Sequence, residues 1–452
     1  MGSVRSSAAV RLALVLALPI LAASLPGCSG GSKVAVPVAP SGFAVEPRVS
    51  DPLCNGGRGV RLPARFGGNP VLASATLANG STLIAISDFS ARRSVVLHSV
   101  TRRCAPSPEF GRHGVAAIGI SSRSPRTRPA SGAPSGLRIR AVAGRNGGGA
   151  ILAGGFGSNW VVGEITPGGQ IDPTFGKGGW TVLPFHGEAT AIVQEPSGRI
   201  VVGGDNAGGG CCLVSWAAAL SPRGHLEREF GKHGRAELRG RFRGGGISAL
   251  MREPNGEILA AVEYGNNGCW GVTLAMLTPS GQPVPRFAQK TDRFWQRLGF
   301  NAFVGDVSID GQGFTLVGTG QRPCFGGSLS SAPSATGLIM RFRTNGEPIG
   351  NAVRFPSRMF GNVRAFHAGH DTIVVMSPYA DQTRLTLTAR RRDGSIDPRF
   401  GSRGRARIHT PWRGPYAALD TTVLINQASP NAVVLVAWSY GRNQLQIIRV
   451  RF

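Results

Sequence analysis

One short phrase recurs seven times along this chain: a turn containing Gly or Asn, then four apolar or small residues. It reads Leu83-Ile84-Ala85-Ile86, Ile151-Leu152-Ala153-Gly154, Ile200-Val201-Val202-Gly203 and Ile258-Leu259-Ala260-Ala261 in the first four copies. The last three are Thr315-Leu316-Val317-Gly318, Thr372-Ile373-Val374-Val375 and Val433-Val434-Leu435-Val436. Successive copies begin 68, 49, 58, 57, 57 and 61 residues apart, a period near 58. Units of that size and β-type content stack on one another to bury their faces, so the period points to propeller blades or a comparable array, not to independent domains. Composition agrees. With 66 Gly and 31 Pro in 452 residues, long helices are not expected, and 41% hydrophobic against 16% charged residues excludes a disordered chain.

The third unit shows the plan. Ala189 to Glu195 is one apolar stretch, Pro196-Ser197-Gly198-Arg199 supplies a turn, and Ile200 to Gly204 is a second strand. Leu213 to Leu220 is a third strand, followed by the turn Ser221-Pro222-Arg223-Gly224. Leu226 to Leu238 is a fourth, less regular strand around Phe230-Gly231-Lys232-His233-Gly234. Four strands make one blade. The apolar runs do not alternate with polar residues, as expected for strands sandwiched between neighbouring blades. The expected fold is therefore all-β, a seven-bladed β-propeller of four-stranded blades over residues 43–452. The last unit supplies three strands, Thr421 to Gln427, Val433 to Ala437 and Leu445 to Phe452. Its fourth is expected from Val60 to Gly67, so that N-terminal and C-terminal strands pair and close the ring without an open edge. Ser121 to Arg138 and Gln321 to Gly337 depart from the period and are expected as exposed loops.

A longer phrase carries a resemblance. Pro167 to Gly179 contains Gly-x-Ile-Asp-Pro-x-Phe-Gly-x-x-Gly, and Asp393 to Gly404 repeats it as Gly394-Ser395-Ile396-Asp397-Pro398-Arg399-Phe400-Gly401. Weaker copies are Pro108 to Gly114, Gly224 to Gly234 and Gly281 to Phe287. Over roughly residues 60 to 452 the chain resembles the bacterial delta-60 repeat family, and that resemblance implies an exported, propeller-like repeat protein. Each phrase marks a turn, with Phe expected to wedge between blades at the end of the fourth strand and the following Gly to adopt a backbone conformation closed to other residues. Asp172 and Asp397 sit where a carboxylate accepts backbone N–H bonds. A repeated metal site is disfavoured, because Glu227 and Val284 occupy the equivalent places, and no metal or cofactor is expected.

The amino terminus reads as an export signal. Arg5 and Arg11 precede an apolar run from Leu12 to Leu25, the length of a signal h-region and short for a membrane span. Leu25-Pro26-Gly27-Cys28 resembles the bacterial lipobox, which implies removal of residues 1–27 and lipidation of Cys28. Residues 28–42, rich in Ser, Gly, Pro and Val, would form a flexible tether. The expected address is extracytoplasmic and lipid-anchored to the cell membrane, with secretion as the alternative. The remaining cysteines, Cys54, Cys104, Cys211, Cys212, Cys269 and Cys324, are even in number, as disulfides in an exported protein require. Cys211, Cys212, Cys269 and Cys324 follow the second strands of units three to five, so a bridge is expected within this group, joining two of these units, with a vicinal Cys211–Cys212 bond as the alternative. Cys54 is expected to pair with Cys104.

No nucleophile elbow, phosphate loop or His-Glu-x-x-His pattern is present. His113 and His233 share an outer-turn position. Glu188, Asp306 and Asp420 lie near the starts of first strands, where propeller side chains often face the central channel, and carboxylates there can serve acid/base work on a glycan. The net charge of +26 comes from arginines scattered through turns and outer strands, not from the basic clusters with interleaved aromatics that nucleic acid selects. The expected function is a monomeric, non-catalytic binding or scaffolding module at the cell envelope. Its expected partner is an envelope protein or cell-wall glycan, with membrane contact through the lipid and no nucleic acid. The alternative is a glycan-active hydrolase or lyase using the channel.

Overall fold

The computed structural model describes residues 71–87, 94–120, 136–206, 214–238, 245–266, 269–298, 301–310, 313–321, 335–357, 363–368, 371–376, 384–391, 393–409, 421–429, 432–439 and 444–451. The export signal, the tether, Cys28, Cys54, Val60 to Gly67, Cys211, Cys212, Cys324 and Asp420 lie outside them, as does most of each expected long loop.

The first sheet holds β1 (Val71–Thr76), β2 (Thr82–Ser87), β3 (Ser94–Val100) and β4 (Val115–Gly119). The second holds β5 (Leu137–Gly144), β6 (Ala150–Phe156), β7 (Asn159–Ile165) and β8 (Trp180–His186). The third holds β9 (Ala189–Gln194), β10 (Ile200–Asn206), β11 (Val214–Leu220) and β12 (Ala236–Leu238). The fourth has three strands, β13 (Ile247–Arg252), β14 (Ile258–Asn266) and β15 (Cys269–Leu277), and is followed by helix α1 (Pro285–Leu298). The fifth holds β16 (Asn301–Asp310), β17 (Gly313–Gln321), β18 (Ala335–Phe342) and β19 (Val353–Ser357). The sixth holds β20 (Val363–Ala368), β21 (Asp371–Met376), β22 (Arg384–Arg390) and β23 (Arg405–His409). The seventh holds β24 (Thr421–Ser429), β25 (Ala432–Ser439) and β26 (Gln444–Arg451). Each is an antiparallel meander in chain order. The seven repeated phrases fall on the second strand of each sheet.

The core lies between sheets. Ala150 and Leu152 of β6 pack in a cluster shared with the first sheet, whereas Ile151 and Ala153 pack in one shared with the third. Both faces of the strand are therefore buried, and period-two alternation vanishes from the sequence because each parity has its own apolar neighbour. First strands touch first strands throughout: β1 meets β5, β5 meets β9, β9 meets β13, β13 meets β16, β16 meets β20, β20 meets β24, and β24 meets β1.

The Phe-Gly turns lock adjacent sheets. Phe110, Phe175, Phe230 and Phe287 each reach a glycine of the next unit, and a Cβ added at Gly169, Gly224, Gly281 or Gly346 would stand 2.7, 2.5, 2.8 or 3.0 Å from that ring. The backbone adds a second link, since the N–H groups of Gly111, Gly176 and Gly231 donate to Gly168, Arg223 and Ser280 carbonyls at 2.8 Å. The wedge is as expected in kind, but Phe precedes the fourth strand instead of ending it. In the third unit Leu226 to Arg235 is mostly turn, and only Ala236–Leu238 forms β12. His113 and His233 both hold positive φ, 54° and 56°, in this turn. Asp172 and Asp397 accept the backbone N–H groups of Thr174 and Arg399 at 2.9 and 3.1 Å, as expected of turn carboxylates.

Helix α1 departs from the expectation of no long helix. Its 14 residues stand where the fourth strand of that unit was expected. Phe287, Thr291 and Phe294 are buried at helical spacing, with Phe287 edge-on to Phe314 and Phe294 edge-on to Phe342. Thr291 donates to the Leu274 carbonyl at 3.0 Å. The helix still delivers Phe287 to the place of the other wedges, so the link between sheets survives the change of element. No helix among the described residues is long and apolar enough to cross a membrane.

Candidate functional site

A β-bulge recurs in the first strands. In β5, Ile139 pairs with Gly154 and Ala141 with Ala153, which leaves Arg140 extra. The same shift makes Thr190, Ser248 and Gly305 the extra residues of β9, β13 and β16. The effect on packing is direct: Leu137 and Ile139 face the cluster shared with the first sheet, while Ala141 and Ala143 face the next cluster. An inserted residue reverses the parity of a strand and re-aims side chains near it. Hydroxyls of the preceding sheet take backbone groups at these sites: Ser87 Oγ accepts Ile139 N–H at 2.8 Å, and Thr190 Oγ1 donates to the Ile247 carbonyl at 2.6 Å.

Arg138 and Glu188 stand two residues before the bulges of their respective strands, so equivalent positions of neighbouring units carry opposite charges. Arg138 Nε donates to Glu188 Oε1 and Arg140 Nε to Glu188 Oε2. Arg138 also donates to the Gly136 and Gly157 carbonyls, both at 3.2 Å. Burial alone would push the Glu188 carboxyl up, but the charges and hydrogen bonds of Arg140 and Arg138 outweigh it and hold the group below the ordinary carboxylate range.

Asp205, at the end of β10, completes the cluster. Its Oδ1 accepts the Glu188 backbone N–H at 2.8 Å, and its own carbonyl accepts Trp160 Nε1–H at 2.8 Å. Burial raises the Asp205 carboxyl, and the Glu188 charge adds to the rise, against the pull of the Glu188 N–H and Arg140. Trp160 and Trp216 both stand edge-on to Phe185, a rigid apolar base under the polar groups. Gly155 holds the position in β6 that Asp205 holds in β10, and a Cβ there would lie 2.9 Å from Glu188 Cγ. The second unit is kept bare so that the third can place its glutamate.

Of the three expected channel carboxylates, only Glu188 has a described side chain. Asp306 follows the bulge of β16 by one residue, whereas Glu188, just before β9, precedes its bulge by two, so the two are not equivalent. Asp420 lies outside the described residues. Arg138, Arg140 and Asp205 were missed. Arginines at alternate positions of an otherwise apolar strand were the signal available. No group of three or more His, Cys, Asp or Glu residues suited to a metal occurs among the described residues. Cys104, buried with φ 62°, is disulfide-bonded.

Other arginines have structural work. Arg145 donates to Glu164 and, at 2.7 Å, to the Pro222 carbonyl of the next sheet. Arg199 repeats this one unit on, donating to Glu227 at 2.7 Å and to the Pro279 carbonyl at 2.9 Å, with its guanidinium over the Phe230 ring. Part of the basic excess thus staples one sheet to the turn of the next.

No family model and no curated protein matches the chain. Among solved structures it is similar to a protein of unknown function from Dyadobacter fermentans DSM 18053, at 12% identity and TM-score 0.41, over 87% of this chain and 98% of that one. It is also similar to a glucose dehydrogenase, at 10% identity and TM-score 0.39 over 68% and 94% of the two chains. A third is prolyl oligopeptidase B from Galerina marginata, at 9% identity and TM-score 0.42 over 85% of this chain and 51% of that one.

Proposed function

We propose that the chain is an exported, lipid-anchored, seven-bladed β-propeller that acts as a non-catalytic binding or scaffolding module at the cell envelope. Seven sheets among the described residues, and first strands that touch in a cycle from β1 through β24 and back to β1, support a closed ring. The seventh sheet has three strands among the described residues, and Val60 to Gly67 would supply its fourth. The delta-60 repeat reading is a proposal of the same kind, resting on the Phe-Gly turns. Lipidation at Cys28 is tested by fractionation: Cys28→Ala should move the protein from membrane to soluble exported fractions. The Cys54–Cys104 bridge, and one within the group Cys211, Cys212, Cys269 and Cys324, are tested by peptide mapping without reduction.

The observation that carries the binding reading is the saturation of Glu188 by two arginines. Glycoside cleavage needs two carboxyl groups flanking the bond, one of them an available base or nucleophile. A carboxylate locked between Arg138 and Arg140 is neither. The enzyme reading keeps one observation, a raised Asp205 beside an ionised Glu188, since divided pairs of this kind run acid/base chemistry. Incubation of the purified protein with cell-wall glycans and envelope proteins separates the two. Retention without new reducing ends supports the binder, and release of shortened glycan refutes it.

A further inference from the structure

We propose that Arg140 and Asp205 form the ligand contact of this module, and that the ligand they select is an acidic sugar, a pyranose bearing a carboxylate and neighbouring hydroxyls. The inference rests on the binding reading and gives its site and ligand class.

Arg140 spends only Nε on Glu188, and its Nη groups take no hydrogen bond among the described residues. Its side chain is 19% exposed, against 5% for Arg138, whose guanidinium is directed to Glu188 and backbone carbonyls. The bulge at Arg140 is what separates the two roles, because without it both would continue the same strand geometry. With Nε anchored, the Nη edge of a planar guanidinium presents a fixed pair of donors, the shape that matches a carboxylate.

Asp205 supplies the second half. Oδ1 is held by the Glu188 N–H, no side-chain donor among the described residues bonds the carboxyl, and the residue is half-buried. Among the described residues, the charged groups facing Asp205 are Glu188, from the segment before β9, and Arg140, from β5; Gly246, before β13, brings none. A carboxyl raised by burial holds its proton further toward neutrality and then offers an O–H donor with an acceptor on the same group. Arg138 and Glu188 cancel, and a raised Asp205 carboxyl opposes Arg140 with its full charge only toward higher pH, so the open guanidinium edge of Arg140 is the group that meets a ligand. That favours an anion, and the Asp205 carboxyl suits the hydroxyl next to it.

The test is calorimetric titration of the purified protein with glucuronate, with glucose as the neutral control. Glucuronate should bind at least about tenfold more tightly than glucose. Arg140→Ala should weaken it by about tenfold or more, and Arg140→Lys by less, since charge remains but the fork is lost. Affinity should fall as pH rises through the elevated Asp205 value, because a second anion then faces the ligand, and Asp205→Asn should flatten that dependence while retaining a donor. Unchanged melting temperatures of Arg140→Lys and Asp205→Asn exclude unfolding as the cause. Equal binding of glucuronate and glucose, no binding at about 10 mM, or full binding by Arg140→Ala would overturn the proposal. Retention of some other envelope glycan that is indifferent to Arg140→Ala would sink this site and leave the binding reading standing. Glycan cleavage would sink that reading instead.

Discussion

His98 should make this protein acid-labile by a calculable amount. It lies on β3, across from Ile84 on β2 and Val115 on β4, and is 2% exposed. Neither Nδ1 nor Nε2 has a hydrogen-bond partner among the described residues. Burial lowers its pKa from the ordinary 6.5 to about 4. Between those values the unfolded chain binds a proton that the folded chain refuses, so the stability owed to neutral His98 is complete above pH 6.5 and is lost as pH falls toward 4. A shift of that size is worth about 3 kcal/mol in full, of which about 2 kcal/mol should be lost between pH 7 and pH 4.5. His98→Leu keeps the volume, removes the titration and relieves two unpaired ring nitrogens, so at neutral pH the variant should be at least as stable as the parent. Urea unfolding followed by tryptophan fluorescence, run on both proteins over this pH range, isolates the residue as the difference between them. That difference should widen in favour of His98→Leu by about 2 kcal/mol on acidification. A difference independent of pH would show that His98 is solvated or partnered in the folded protein and would refute the argument.

Three further outcomes follow from the links between sheets, each read by the same denaturation. Gly224→Ala should cost about 3 kcal/mol, since its Cβ would stand 2.5 Å from the Phe175 ring at φ +81°; Gly178→Ala, at φ +64° with nothing within 4 Å, should cost only about 1 kcal/mol. Arg199→Ala should cost about 2 kcal/mol, because its links to Glu227 and the Pro279 carbonyl and its stacking on Phe230 all go together. Glu188→Ala should cost about 3 kcal/mol by leaving buried Arg138 without its carboxylate, and equal stability to the parent would mean that the pair contributes nothing.

The sheets were legible because their signal is repeated and local. Every second strand matched its phrase, and the strands of the third unit fell within a residue or two of their expected bounds, except the fourth. There the sequence carries Phe-Gly turn chemistry where an extended run was expected, and isolated bridges replace a ladder until Ala236. Helix α1 was hidden by Gly281 to Phe287, which resembles the turn phrase. The residues beyond held the contrary sign: no glycine occurs from Gln282 to Leu298, in a chain where 66 of 452 residues are glycine. Phe287, Thr291 and Phe294 at helical spacing complete it.

The site was less legible because it depends on a register that no linear pattern displays. Glu188 was found from its place before a first strand, and Asp306 was grouped with it on the same ground. A bulge moves residues on its two sides to opposite faces, so nearness to a strand start does not fix direction, and Asp306 lies beyond its bulge while Glu188 lies before one. The arginines were read as scattered charge. Yet a guanidinium at an inner strand or an inter-sheet turn is held only where a carboxylate or carbonyl of the adjacent unit comes within reach, as at Arg138, Arg145 and Arg199. Those partners lie 50, 77 and 80 residues away in sequence, on the adjacent unit, so the charge pattern has meaning only after the units are superposed. Superposed, Arg140 stands apart from the rest: it occupies a bulge, its Nε is fixed on Glu188, and near Asp205 its Nη groups take no hydrogen bond among the described residues.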